Sequence, residues 1–164
     1  MTLKLILQLP ISLHGNYMLQ SWPIFSGAVL GKKYDFLTSE FNKKRRYTII
    51  YGIVVSTLFF LLAEPVVSVW SQGEIILSKT LILGFSGLAF IYVFSALYAT
   101  FAFSQNHVAP FAFLGIITLP LMYAIGFLGV WFDLGPVSII LANIFMQLIG
   151  LIISRRYYKS RIIK

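Results

Sequence analysis

The chain has no cysteine, so neither a disulfide framework nor a thiolate metal or redox site is open to it. Acid is nearly as scarce. Its five acidic residues, Asp35, Glu40, Glu64, Glu74 and Asp133, all lie between apolar runs or near their ends. No carboxylate pair within a run could divide acid and base work, and HExxH, GxSxG and a phosphate-binding glycine loop are all missing. A metal needs clustered ligands, and His14 and His107 fall toward opposite sides of the expected bilayer. These absences exclude the common enzyme chemistries, and the chain is read as a non-enzyme with no cofactor and no metal. Charge of either sign is short too. Charged residues make up 11% against 59% hydrophobic, where soluble domains carry about 25% charged; a water-soluble core is not a credible reading.

What is present is length in apolar runs. The segments Tyr47–Trp70, Leu77–Phe103, Val108–Phe132 and Val137–Ile153 carry no Lys, Arg or Asp away from their ends. Each is about long enough to cross a hydrocarbon core of roughly 30 Å at 1.5 Å per residue. One charge at mid-bilayer costs about 2.5–3.5 kcal/mol on insertion scales, so their absence is informative. Leu3–Leu30 is a fifth and weaker span, holding Lys4, Gln8, Pro10, His14, Asn16, Gln20 and Pro23. Such a helix is tolerated where protein or a water-filled cavity shelters it from lipid. The expected fold class is all-α: one polytopic membrane domain over residues 1–164, a bundle of about five transmembrane helices.

The net charge of +8 is concentrated rather than spread. Eleven of the 13 basic residues lie in Gly31–Arg46 or in the tail 154–164, leaving Lys4 and Lys79 elsewhere. That placement speaks against nucleic acid as a partner and for the positive-inside rule. Both clusters are then cytoplasmic, with the amino terminus outside and the carboxyl terminus inside. The opening MTLKLILQLPISLHGNY shows no small-residue cleavage site after its apolar run, and no cleaved signal peptide is expected. Tyr34, Leu37 and Phe41 at i, i+3 and i+7 predict a short amphipathic helix over 33–46 on the cytoplasmic membrane surface. Lys43, Lys44, Arg45, Arg46, Arg155 and Arg156 would anchor topology and touch anionic headgroups.

Polar residues inside the spans are the candidate site. Lys4, His14, Asn16 and Gln20 either line a cavity for a hydrophilic passenger or bond neighbouring helices. Ser95, Ala99 and Ala102 predict close helix packing, and Asn143 and Gln147, four apart, predict hydrogen bonding between helices.

The run LQSWPIFSGAVLG at Leu19–Gly31, followed by an acidic, aromatic amphipathic stretch and then KKRR before an apolar span, resembles polysaccharide flippases of the Wzx type. Trp22, Pro23, Ser26, Ala28 and Gly31 stand at matching positions, as do Val66, Val69, Trp70 and Gly73 near the end of the next span, and Asn106 after the following helix. The resemblance covers essentially the whole chain, on loose and mostly hydrophobic motifs. It implies the C-terminal lobe of a fold like that of multidrug and toxin extrusion exporters. It also implies transport of undecaprenyl-pyrophosphate-linked oligosaccharide, such as an O-antigen unit, across the bacterial inner membrane. Lys4 and His14 would attract the pyrophosphate, and Asn16 and Gln20 would bond sugar hydroxyls. Such transporters have two lobes, so the chain is expected to be a fragment, a truncated frame or part of a split transporter, needing an N-terminal lobe or another membrane subunit. The alternatives are a non-transporting membrane scaffold or assembly subunit, joined to partners through Ser95, Ala99 and Ala102, or a piece of a multidrug exporter. Reporters fused to the two termini should read on opposite sides of the membrane, the carboxyl one in the cytoplasm; both on one side would overturn the five-span threading.

Overall fold

The computed structural model describes residues 2–132 and 135–162, with the side chains of residues 2–5, 130 and 162 outside the description. The turn expected at Asp133 and the last tail residue Lys164 therefore lie outside the described residues. Every regular element described is helical: α1 (Thr2–Leu19), α2 (Trp22–Leu30), α3 (Tyr34–Trp70), α4 (Lys79–Ser104), α5 (Ala109–Trp131) and α6 (Val137–Ile162). Four of them, α3 to α6, are long and apolar enough to cross a membrane. The chain is a bundle of membrane-spanning helices.

The first expected span is two helices. Pro23 has no N–H to give the carbonyl of Leu19, and its ring crowds that turn, so the ladder breaks there. Ser21 keeps near-helical angles (φ −83°, ψ −11°), and its N–H bonds the Met18 carbonyl at 2.9 Å. The chain kinks without turning back. Leu7 of α1 shares a buried cluster with Phe59, Ala63, Val67 and Ile82. Met18 and Phe25 share another with Leu37, Phe41, Leu97 and Phe101. Together α1 and α2 flank the membrane-depth part of α3 from one end to the other, so they cross wherever α3 crosses.

A second departure concerns residues 33–46. They form no separate surface helix but the first turns of a 37-residue α3, about 55 Å long. No Gly or Pro interrupts the sequence between Tyr34 and Gly52, so the ladder runs on into the span. Leu37 and Phe41 are fully buried against protein, while Tyr34, the first residue of the stripe, is exposed. The basic tail is likewise helical, as α6 continues to Ile162.

α4 is the central helix and packs on α1, α2, α3 and α6, whereas α5 has α6 as its main neighbour. Two glycines allow close approaches on α4. A Cβ at Gly52 would lie 3.0 Å from the Phe90 ring, and one at Gly84 would lie 3.2 Å from Ile140. These fix α3 on α4 and α4 on α6, by the small-residue contact that membrane helices use where lipid supplies no hydrophobic drive. No residue in the most apolar stretch of α5 is buried, and Phe113, Ile116, Tyr123 and Phe127 are exposed, as befits a helix whose solvent is hydrocarbon.

Three helix ends share one device. α2, α3 and α4 each end on a left-handed residue, Lys32 (φ 53°), Gln72 (φ 53°) and Asn106 (φ 57°). The next N–H then bonds back five residues: Lys33 to Ala28, Gly73 to Ser68 and His107 to Ala102, at 2.8–3.0 Å. This Schellman pattern satisfies carbonyls that the helix leaves unpaired, and only Asn106 has a side chain suited to that conformation. α4 begins on Ser78, whose Oγ accepts from the Leu81 N–H at 3.2 Å, an ordinary N-cap.

At the end where α3 begins and α4 and α6 finish, aromatic rings interlock. Phe41 stacks on Tyr158 at 3.8 Å and meets Tyr98, Phe101 and Phe25 at 5.2, 5.9 and 5.9 Å. His107 stacks on Tyr157 at 3.9 Å. Phe41→Ala should cost about 3 kcal/mol or more of unfolding free energy, the range for emptying a buried Phe site. Phe113→Ala, on the exposed face of α5, should stay within about 0.5 kcal/mol. Denaturant titration in detergent reads both, and equal losses would show that the cluster has no special weight.

Candidate functional site: a polar stripe on the first helix

α1 carries Gln8, Ser12 and Asn16 at four-residue intervals, Gln20 follows at the same interval in the turn just past its end, and all four are exposed. A step of four residues turns a helix by only about 40° beyond one full turn, so the four form a slowly winding stripe about 18 Å long. Gln8 Nε2 donates to Ser12 Oγ at 3.4 Å, within the stripe itself. At its far end Gln8 enters an open cleft of about 480 Å³ between α1, α4, α5 and α6. Tyr92 and Asn143 supply the other polar groups of the cleft, and Leu7, Phe85, Met122 and Ile140 much of the apolar wall. The stripe and cleft offer amide and hydroxyl groups beside hydrocarbon, chemistry that suits neutral hydrogen-bonding solutes and apolar chains.

His14 does not belong to that wall. It is fully buried, with its ring between Tyr51 at 5.2 Å and Tyr47 at 6.3 Å. His14 Nε2 lies 3.1 Å from Thr48 Oγ1, and Thr48 Oγ1 donates to Met18 Sδ at 3.9 Å. Nδ1 of His14 is buried without a partner, so the Nε2–Thr48 contact is the hydrogen bond that holds the ring. Tyr51 OH donates to the Pro10 carbonyl at 2.8 Å, tying α3 to the same face of α1. The expected grouping of His14 with Asn16 and Gln20 is thus corrected: a helix turns about 200° over two residues, which sets Asn16 on the side opposite His14. Lys4 sits near the start of α1, its side chain outside the described ones.

The packing residues also divide. Ser95 Oγ donates to Gln147 Oε1 at 3.3 Å, joining α4 to α6. Asn143, expected to bond a neighbouring helix, instead donates through Nδ2 to the Ile139 carbonyl of its own helix at 2.8 Å and lines the cleft. Ala102 is fully buried, and Ala99 lines a gap of about 220 Å³ beside Gly115 and Gly150. The stripe of small residues is therefore occupied within the chain by α5 and α6.

Gln8, Ser12 and Tyr92 are the site residues that sequence reasoning passed over. The first two carry a readable signal, their four-residue spacing to Asn16 and Gln20; Tyr92 gives none before the helices are assembled. Among the described residues no three His, Asp or Glu side chains gather where a metal could sit. Compared with family models, curated proteins and solved structures, the chain matches none.

His14→Leu should lower the melting temperature in detergent, because the buried Thr48 hydroxyl loses its hydrogen-bond partner on α1, a loss of about 1–2 kcal/mol. Asn16→Leu, which removes no contact within the chain, should leave melting unchanged. The reverse order would mean that the two faces of α1 have been assigned wrongly.

Proposed function

We propose that the chain forms one lobe of a transporter that carries a lipid-linked oligosaccharide across a bacterial inner membrane. One observation carries the proposal: α1 and the turn after it expose four uncharged polar side chains at four-residue spacing. The outward surface of the spans, by contrast, is mostly Leu, Ile, Val and Phe, with Thr57, Glu64 and Ser68 exposed on α3. Amide groups left in hydrocarbon without partners cost several kcal/mol each. Water or a second polar surface must therefore cover Gln8, Ser12, Asn16 and Gln20. A passage between this lobe and another, in the same polypeptide or a separate one, supplies both.

In that arrangement the stripe meets sugar hydroxyls while the prenyl tail stays in lipid, and relative motion of the lobes opens the passage to alternate sides. His14 is left out of the passage and acts by holding α1 on α3. The positive-inside rule puts the basic end of the bundle in the cytoplasm and the amino terminus outside. A scaffold joined through Ser95, Ala99 and Ala102 has less support, since α5 and α6 already occupy that stripe.

The test is the double variant Asn16→Leu/Gln20→Leu in cells that depend on this protein for surface glycan. Export should fall at least about tenfold, equivalent to about 1.4 kcal/mol, with membrane abundance and melting temperature unchanged. Undiminished export would remove the stripe from the passage and the proposal with it.

A further inference from the structure

Among the described residues, ten basic side chains crowd one end of the bundle against two acids, Asp35 and Glu40. Glu40 is engaged by Lys43 at 4.0 Å. Lys44 lies over the Tyr17 ring at 4.0 Å and Arg161 over Tyr157 at 5.3 Å, so both are already directed onto protein. Arg45, Arg46, Arg155 and Arg156 are different: all are exposed, and none has a carboxylate partner among the described residues.

These four come from segments far apart in sequence, yet the fold sets them level. The Phe41–Tyr158 stack at 3.8 Å fixes the register of α3 against α6. From Phe41, four residues along α3 reach Arg45, a rise of about 6 Å. From Tyr158, three residues back along α6 reach Arg155, a rise of about 4.5 Å in the same direction. Arg45 is also within electrostatic reach of the Tyr158 hydroxyl. Each arginine pair directly borders an apolar run, Tyr47 onward in α3 and Ile153 backward in α6. That depth is where phospholipid phosphates lie when the runs are in hydrocarbon.

We propose that Arg45 and Arg155 form one joint binding site for the phosphate of an anionic phospholipid, assembled by the stacking of Phe41 on Tyr158. Both stand about 40–60° round their helices from the stacked rings, whereas Arg46 and Arg156 are turned about 140–160° away and flank the site. Guanidinium groups bind phosphate oxygens in pairs of parallel hydrogen bonds, so the two arginines can hold one headgroup together. The site acts as a headgroup clamp on the two helices and is independent of what the protein transports.

Native mass spectrometry of the full chain, extracted with equal phosphatidylglycerol and phosphatidylcholine, tests this directly. Phosphatidylglycerol should be retained preferentially, by about fivefold for each engaged charge. Neutralising either one, Arg45→Gln or Arg155→Gln, should abolish most of that preference, the double variant should lose little more, and Arg46→Gln/Arg156→Gln should lose less than either single variant. Arginine-to-lysine variants, which keep the charge but not the paired bonds, should retain only part of it. Equal retention of the two lipids would overturn the proposal, and so would strictly additive losses, which mean two unrelated patches. Binding of inorganic pyrophosphate by the lipid-free chain as tight as that of phosphatidylglycerol would also overturn it, assigning the arginines to a soluble anion.

Discussion

The contact on which the arrangement depends is the stacking of Phe41 on Tyr158 within the ring cluster of Phe25, Tyr98 and Phe101. It joins the start of α3 to the ends of α4 and α6, and through Phe25 it captures α2. Inside a bilayer, helices gain nothing by burying leucine against leucine, because the lipid tails are equally apolar. Register must come from shape. Rings meeting edge to face supply attraction beyond area alone, and they do so just past the apolar runs. At the opposite end the bundle relies on thinner means: the Gly84 approach to Ile140 and a cluster of aliphatic side chains around Val67 and Ile82.

That asymmetry organises the polar chemistry. The ring cluster carries basic side chains on its rim, while His14, Thr48, Tyr47 and Tyr51 close the α1–α3 seam just inside it. Because His14 is spent on the seam, the polar groups that α1 turns outward among its described side chains are uncharged amides and a hydroxyl. A bundle packed in this way keeps most of its basic groups near one end, with Glu64, Glu74 and Lys79 toward the other, and presents neutral hydrogen-bonding groups along the depth of α1.

Much of the architecture was legible in the sequence because lipid imposes a simple rule: long runs free of charge must be helices that cross. Runs starting at Tyr47, Leu77, Val108 and Val137 each appear as a helix, and Trp70 and Trp131 sit exposed at the end away from the basic clusters. Two features were legible only in part. Pro23 marked a disturbance, but a proline does not say whether the chain bends or breaks, and the Ser21 backbone, held close to helical, decides it. The Tyr34–Leu37–Phe41 pattern was correctly amphipathic, yet periodicity gives a face and not what the face meets; α2, α4 and α6 meet it before the membrane can. For His14 the sequence left two readings open, a cavity wall or a bond to a neighbouring helix, and helical rotation, which sends positions 14 and 16 to opposite sides, gives His14 the second. Asn143 turned back on its own helix, an option open to any short amide and invisible to spacing.

The stripe on α1 has a property that bears on how a passenger would travel along it. Its hydrogen-bonding groups stand about 6 Å apart, one turn of helix, which is near the width of a sugar ring. None carries a charge, so each contact is individually weak, on the order of 1 kcal/mol net. Passage through a protein requires binding favourable enough to enter and weak enough at each position to leave, with the next site within reach. A ladder of neutral amides meets that requirement better than a single histidine or lysine, whose charge would trap a pyrophosphate at one depth. For the transport proposed above, the burial of His14 would withdraw the one ionisable group of the middle of that helix from the path.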